Sequence, residues 1–272
     1  GKGSGNADRS QNKRDHVKAP GEYAKIMLPE LTFPYLIPGQ EVLLDDGKIH
    51  LKIVEKAENV TENGGENTQE KRYFAKVLWG GLLKSRKSAA LPGAKIYPPT
   101  LTNSDLANIK IAKEMGVTGV MQPFVRDHSD LERVKEAPRE AGAEDIRLFA
   151  KIENMDGVRK LEKLLPAADE IVIARGDLGN AVHLWDLPGV QRQISEKCRA
   201  AGKPFMVVTQ MLASMERSPV PTRAEVNDIF HAVMDGAASI MVTGETAVGD
   251  YPVEVIRYMV NTVRSAEKEE NR

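Results

Sequence analysis

The chain has 272 residues, of which 41% are apolar and 28% charged, as in an ordinary globular protein large enough for one large domain or two smaller ones. A formal net charge of −1 gives no electrostatic reason to expect nucleic acid or an acidic membrane surface as partner. The single cysteine, Cys198, cannot form an internal disulfide, and no apolar run is long enough to span a bilayer, so the expected setting is the cytoplasm.

Residues 1–21 are polar and mixed in charge, with almost no large apolar residue, and read as a flexible tail or linker ending near Glu22. The next stretch, 22–97, reads as β. Val42-Leu43-Leu44 and the alternating Ile49, Leu51 and Ile53 flank Asp45-Asp46-Gly47, a hairpin signal. ENVTENGGENTQEKR reads as a loop tip and YFAKVLW as a returning strand, and LPGAKIYPP marks a boundary. From 98 to 272 helix and strand alternate. Thr102 to Asp105 opens a helix with a capping box, followed by the strand VTGVMQP and a helix through DLERVKEAPREAG that begins near His128. RLFAKI, EIVIA, PFMVVT and SIMVTG are further strands, and the segments after them, VRKLEKLL, VQRQISEKCRAAG, TRAEVNDIF and VEVIRYMVNTVRSAEKEE, are helical. Thr222 and Glu225 form a second capping box. Such alternation implies a parallel sheet, either doubly wound or closed into a (β/α) barrel, with ligands at the carboxyl ends of the strands.

Those ends carry polar and ionisable residues: Pro123 with Arg126, Lys151 with Glu153, Arg175-Gly176-Asp177, Thr209-Gln210 and Gly244-Glu245-Thr246. In a strand Lys151 and Glu153 share one face while Ile152 takes the other. Glu153 and Asp177 could supply carboxylates to a hard divalent cation, with Lys151 beside a bound anion. Gly176 would let the backbone approach a ligand in a tight turn. Plainer readings are available for each residue. Lys151 and Glu153 also fit a salt bridge at a sheet edge, and Asp177 fits a turn residue. Cys198 fits inert packing, and the scattered methionines, Met234 among them, fit core or near-core positions. The concurrence of several polar strand ends favours a site.

AKIEN, IARGDLG, VVTQMLASM, PTRAEVND and VTGETAVGDYP, with LLDDGKI, LPG and PFVRD upstream, resemble the pyruvate kinases in order and spacing. The resemblance implies a partial (β/α)8 TIM barrel with an inserted small all-β lid domain. The first three barrel strands and the regulatory domain are expected to be absent, which leaves either a partial barrel with open sheet edges or one completed by other polypeptide. The resemblance also implies phosphoryl transfer from phosphoenolpyruvate to ADP, giving pyruvate and ATP, in a homo-oligomer that binds neither nucleic acid nor membrane. On matching positions, Glu153 and Asp177 would hold Mg2+ or Mn2+, and K+ would be a second cation. Lys151 would stabilise the transferred phosphoryl group and the enolate. Ala174, Gly176, Asp177 and Thr209 would line the substrate, with Thr209 near the protonation step. Asp46 and Lys87 would act from the lid on the nucleotide. Departures from the family pattern stand at Ala89-Ala90, Pro123 and NAVHLWDLPGVQ. Two other readings fit the same rim: a non-catalytic binding or scaffold paralogue, and another Mg2+-dependent lyase or aldolase acting through an enolate.

Overall fold

The computed structural model describes residues 24–45, 47–57, 71–85 and 87–270. The expected tail, most of the loop tip and Asp46 therefore lie outside the described residues.

The first strands are β1 (Glu41–Leu44), β2 (Ile49–Lys56), β3 (Tyr73–Trp79) and the short β4 (Ala89–Ala90). They form an antiparallel sheet in the order β3-β2-β1-β4. The β1–β2 hairpin pairs Leu44 with Ile49, and its turn uses left-handed backbone at Asp45 (φ 50°) and Gly47 (φ 82°). Both residue types tolerate that region, which is why Asp and Gly stand there. Val42, Leu44, Ile49, Leu51 and Ile53 fill a small core with Leu36 and Leu91. Their period-2 spacing is what buries one face of the sheet.

The larger unit holds β5 (Gly119–Gln122), β6 (Arg147–Ile152), β7 (Glu170–Ala174), β8 (Phe205–Val208) and β9 (Ser239–Met241). They lie side by side in chain order, all parallel. The helices between and around them are α1 (Asn103–Ile111), α2 (His128–Glu140), α3 (Met155–Arg159), α4 (Leu161–Leu164), α5 (Arg175–Ala181), α6 (Leu187–Ala200), α7 (Arg223–Met234), α8 (Gly244–Ala247) and α9 (Pro252–Glu270). Leu148, Ala150, Ile152, Ile171, Ile173, Phe205 and Val207 form the main core with the helices. The alternate residues Phe149, Val172, Ala174, Met206, Val208 and Met241 pack together on the opposite, inner face. Both faces of β7 are buried, so EIVIA reads as an unbroken apolar run. The architecture is a partial (β/α)8 barrel preceded by a small antiparallel β sheet. Among the described residues no helix is long and apolar enough to cross a membrane.

Both capping boxes form, Thr102 with Asp105 and Thr222 with Glu225. Three local readings change. The helix expected through VRKLEKLL breaks at Lys160 (φ −97°, ψ 8°), which leaves Val158, Leu161 and Leu164 all buried. The turn expected at Arg175–Gly179 is instead the seven-residue helix α5, anchored by fully buried Leu178. Met234 is 37% exposed rather than core or near-core, because it ends α7 beyond the buried positions Ile229, Ala232 and Val233.

Candidate functional site

The carboxyl ends of adjacent parallel strands set the site. Ile152 of β6 points to the helices, so Lys151 and Glu153 share the inner-face side with Phe149. Glu153 is 3% exposed. Its Oε1 is 2.6 Å from Lys151 Nζ, and its Oε2 accepts the Phe124 N–H at 2.7 Å. The salt bridge is real, but β6 lies between β5 and β7 rather than at a sheet edge. Phe124 sits at φ 52°, an uncommon conformation for an aromatic residue that the bond to Glu153 helps to hold. Below it, Asn154 caps α3 through the Gly157 N–H (2.9 Å) and donates to Val125 O (3.1 Å). The ends of β5 and β6 are thereby tied together.

Arg126, read in the sequence as a strand-end residue, turns away. It grips Asp130 through Nε (3.0 Å) and a terminal nitrogen (2.7 Å), and its guanidinium lies 5.4 Å from the Tyr97 ring centroid. The Arg126 N–H (2.9 Å) and the Thr100 hydroxyl (2.6 Å) donate to the same carboxylate. Burial pushes the Asp130 carboxyl up, but these hydrogen bonds outweigh it and bring the pKa down to about 2.

Ile152 and Ile173 are register partners, so Glu153 and the start of α5 leave the sheet side by side. Asp177 lies in the first turn of α5. Gly176 faces Thr209 of the next strand end: a Cβ on Gly176 would stand 3.1 Å from Thr209 Cγ2 and 3.6 Å from its Oγ1. Ala174 is 3% exposed. Thr209 (φ 83°) and Gln210 (φ 54°) are consecutive left-handed residues, and for a β-branched side chain this is a genuine outlier. Such a residue costs on the order of 1–3 kcal/mol and persists where its surroundings enforce it, commonly at sites of function.

Two residues of this rim serve the backbone. Arg175 donates to Thr209 O from Nε (3.2 Å) and from a terminal nitrogen (2.6 Å), and pairs with Asp228 at 2.7 Å. Glu245 is 2% exposed and accepts the N–H groups of Leu212 (3.2 Å) and Thr243 (2.8 Å), stitching the loops after β8 and β9. Sequence reading put both at strand ends but not in these tasks, because their partners are backbone groups far along or across the chain. Cys198 is fully buried, and burial pushes its thiol up to about 12, consistent with inert packing.

The antiparallel sheet brings its first hairpin to the same rim. Gly47 faces Asn180 of α5, with 3.7 Å between the Cβ position of the glycine and Asn180 Oδ1. Trp79 Nε1 holds Gly47 O at 3.2 Å. Lys87 Nζ binds Asp45 Oδ1 at 2.9 Å, and that hydrogen bond, with Lys48 nearby, lowers the Asp45 pKa against a small desolvation. A cleft of about 310 Å³ lies at the opposite ends of the strands, around Arg147, Asp169 and Glu144.

Glu153 and Asp177 are the two carboxylates that could hold a hard divalent cation. Two carboxylates leave neighbouring strands, and each oxygen of Glu153 spends one lone pair on Lys151 or Phe124 and keeps another. Mg2+ is typically held by roughly one or two protein carboxylates, with water and substrate oxygens completing its octahedron. Among the described residues no group of three or more metal-ligating side chains occurs.

Comparison with known proteins identifies the family. The family described as "Pyruvate kinase, barrel domain" matches residues 12–256. A pyruvate kinase of Bacillus licheniformis is 38% identical over 230 residues, covering 85% of this chain and 38% of that protein. One from Geobacillus stearothermophilus is 39% identical over 233 residues, covering 84% and 38%. One from Candida albicans is 36% identical over 233 residues, covering 86% and 44%. The chain spans less than half the length of each of these relatives.

Proposed function

The chain belongs to the pyruvate kinase family, and from that premise we propose that it carries the metal- and phosphoenolpyruvate-handling part of a phosphotransferase that makes pyruvate and ATP from phosphoenolpyruvate and ADP. The observation that carries the reading is the convergence at one rim of Lys151 with Glu153, Gly176 with Thr209, and the hairpin turn at Gly47. In this reading residues 22–97 are the lid and 98–272 the C-terminal part of the barrel.

Glu153 and Asp177 would hold Mg2+ or Mn2+, which when bound neutralises phosphoryl and enolate oxygens as charge moves between them. Lys151 contributes a fixed ammonium on the inner face. Its position is set by Glu153, so it needs no reorganisation when the phosphoryl group and the enolate develop charge beside it. Backbone at Ala174 and Gly176 receives the substrate carboxylate, and the missing Cβ of Gly176 lets Thr209 sit against the same backbone. Thr209 passes a proton to C3 of the enolate: its O–H bond breaks, a C–H bond forms, and solvent returns the proton to the hydroxyl. Lys87 and Asp46 approach the nucleotide from the lid. K+ completes the cation set.

Calorimetric titration of phosphoenolpyruvate into the chain, with and without Mg2+, tests the reading alongside a coupled assay for pyruvate. The expected result is saturable binding that requires Mg2+, with little or no turnover from this chain alone. Binding indifferent to Mg2+ argues against the site. Metal-dependent enolisation of a keto acid with no effect of nucleotide favours a lyase instead.

A further inference from the structure

We propose that Arg175 is the positioning residue for Thr209, holding its backbone in the left-handed conformation that aims its side chain at Gly176. The inference rests on the reading of Thr209 as the proton-delivering residue, and deepens it.

The geometry points to Arg175 from both ends. Thr209 and Gln210 adopt φ 83° and 54° in succession, and neither is a glycine. Something must hold a β-branched residue there. The Thr209 carbonyl receives two N–H groups of the Arg175 guanidinium, at 2.6 and 3.2 Å. The remaining terminal nitrogen is fixed by Asp228 of α7 at 2.7 Å, and Met211 Sδ touches the guanidinium at 2.8 Å. The side chain is only 13% exposed, so the Asp228 carboxylate balances its charge. Asp228 is itself steady, because α7 begins at the Thr222–Glu225 capping box and Glu225 also binds the N–H and hydroxyl of Ser214. Arg175 therefore holds the carbonyl side of Thr209 while its chain neighbour Gly176 receives the side chain, with Thr209 Cγ2 3.1 Å from the glycine's Cβ position. A lysine has one compact ammonium and cannot span the carbonyl and the carboxylate with a planar fork.

Two readouts decide the matter. The first is structural: crystal structures of Arg175→Lys and of Asp228→Asn, the latter keeping the arginine but loosening its anchor. Thr209 is expected to leave positive φ in Arg175→Lys and to shift in the same direction in Asp228→Asn. Thr209 unchanged in both variants overturns the proposal. The second is chemical: exchange of pyruvate methyl protons with D2O, followed by NMR in the presence of Mg2+. Arg175→Lys should slow exchange about tenfold with an unchanged KM for pyruvate, a loss within the range of positioned acid–base catalysis. It should slow it no further in a Thr209→Val background, and Arg175→Met should be worse than Arg175→Lys. A full additional loss in the Thr209→Val background, or a rise in KM alone, overturns it. A wild-type chain that exchanges no methyl protons counts against Thr209 as proton donor, and the φ of Thr209 in the two variants then decides the backbone claim by itself.

Discussion

Lys151 Nζ stands 2.6 Å from Glu153 Oε1, two residues along the same face of an interior strand, while the other oxygen of that carboxylate takes the Phe124 N–H. The carboxylate is buried and the ammonium a quarter exposed. Removing one partner leaves the other charge in a poorly solvated place. Glu153→Gln should destabilise the fold by about 2 kcal/mol, less than a fully buried pair because Lys151 can reach water. Lys151→Met should cost more, about 3 kcal/mol, because the carboxylate it leaves behind cannot. Urea denaturation measures both. Equal and negligible losses would show that the pair is not coupled to folding.

Acid should expose the Arg126–Asp130–Thr100 cluster. The folded-state pKa of Asp130 is about 2, below its unfolded value, so its contribution to stability is complete above the unfolded pKa and lost as pH falls through about 2. A shift of this size corresponds to about 2 kcal/mol. The difference in unfolding free energy between wild type and Asp130→Asn should therefore shrink between pH 4 and pH 2. A difference flat across that window would contradict the assignment.

Glu225 does more than close a capping box. It accepts from the N–H and hydroxyl of Thr222 and also from the N–H (2.7 Å) and hydroxyl (2.6 Å) of Ser214. Burial raises its pKa and these hydrogen bonds from Ser214 and Thr222 more than reverse that. Thr222→Ala should cost about 1 kcal/mol, as an ordinary N-cap does. Glu225→Ala should cost roughly twice that, since it also releases the turn at Ala213–Glu216. Thermal unfolding of the two variants checks the order, and Thr222→Ala proving the more damaging would sink the argument.

Gly176→Ala separates stability from function. Its new methyl would stand 3.1 Å from Thr209 Cγ2, so Thr209 must give by a few tenths of an ångström. Alanine's better helix propensity offsets the crowding in α5, leaving stability within about 0.5 kcal/mol of wild type. Phosphoenolpyruvate affinity should nevertheless fall by roughly tenfold, since the substrate loses its close approach to the backbone and Thr209 is displaced. Calorimetry on the variant reads the affinity directly, and an unchanged value would remove Gly176 from the substrate site.

Much of this was legible in the residues. RLFAKI and EIVIA coincide with β6 and β7 because unbroken or alternating apolar runs leave a strand few other faces to bury. Thr102 and Thr222 announced their helices because a capping box is a local bond pattern. Lys151 and Glu153 were placed on one face by period-2 alternation alone. What escaped was non-local. Helix α5 forms where Leu178 finds the core, which no residue in ARGDLG states. Arg175 is visible as a charge after a strand, but its partner is a carbonyl on the next strand end, reached only after folding. Glu245 is likewise a carboxylate whose acceptor role depends on backbone from two loops.

The most direct test of the whole account is the number of Mn2+ ions bound by the chain, read by electron paramagnetic resonance for wild type, Glu153→Gln and Asp177→Asn. The account predicts a single site in wild type, tightened by phosphoenolpyruvate and lost in either variant while both still fold. Wild-type affinity retained in both variants would contradict it.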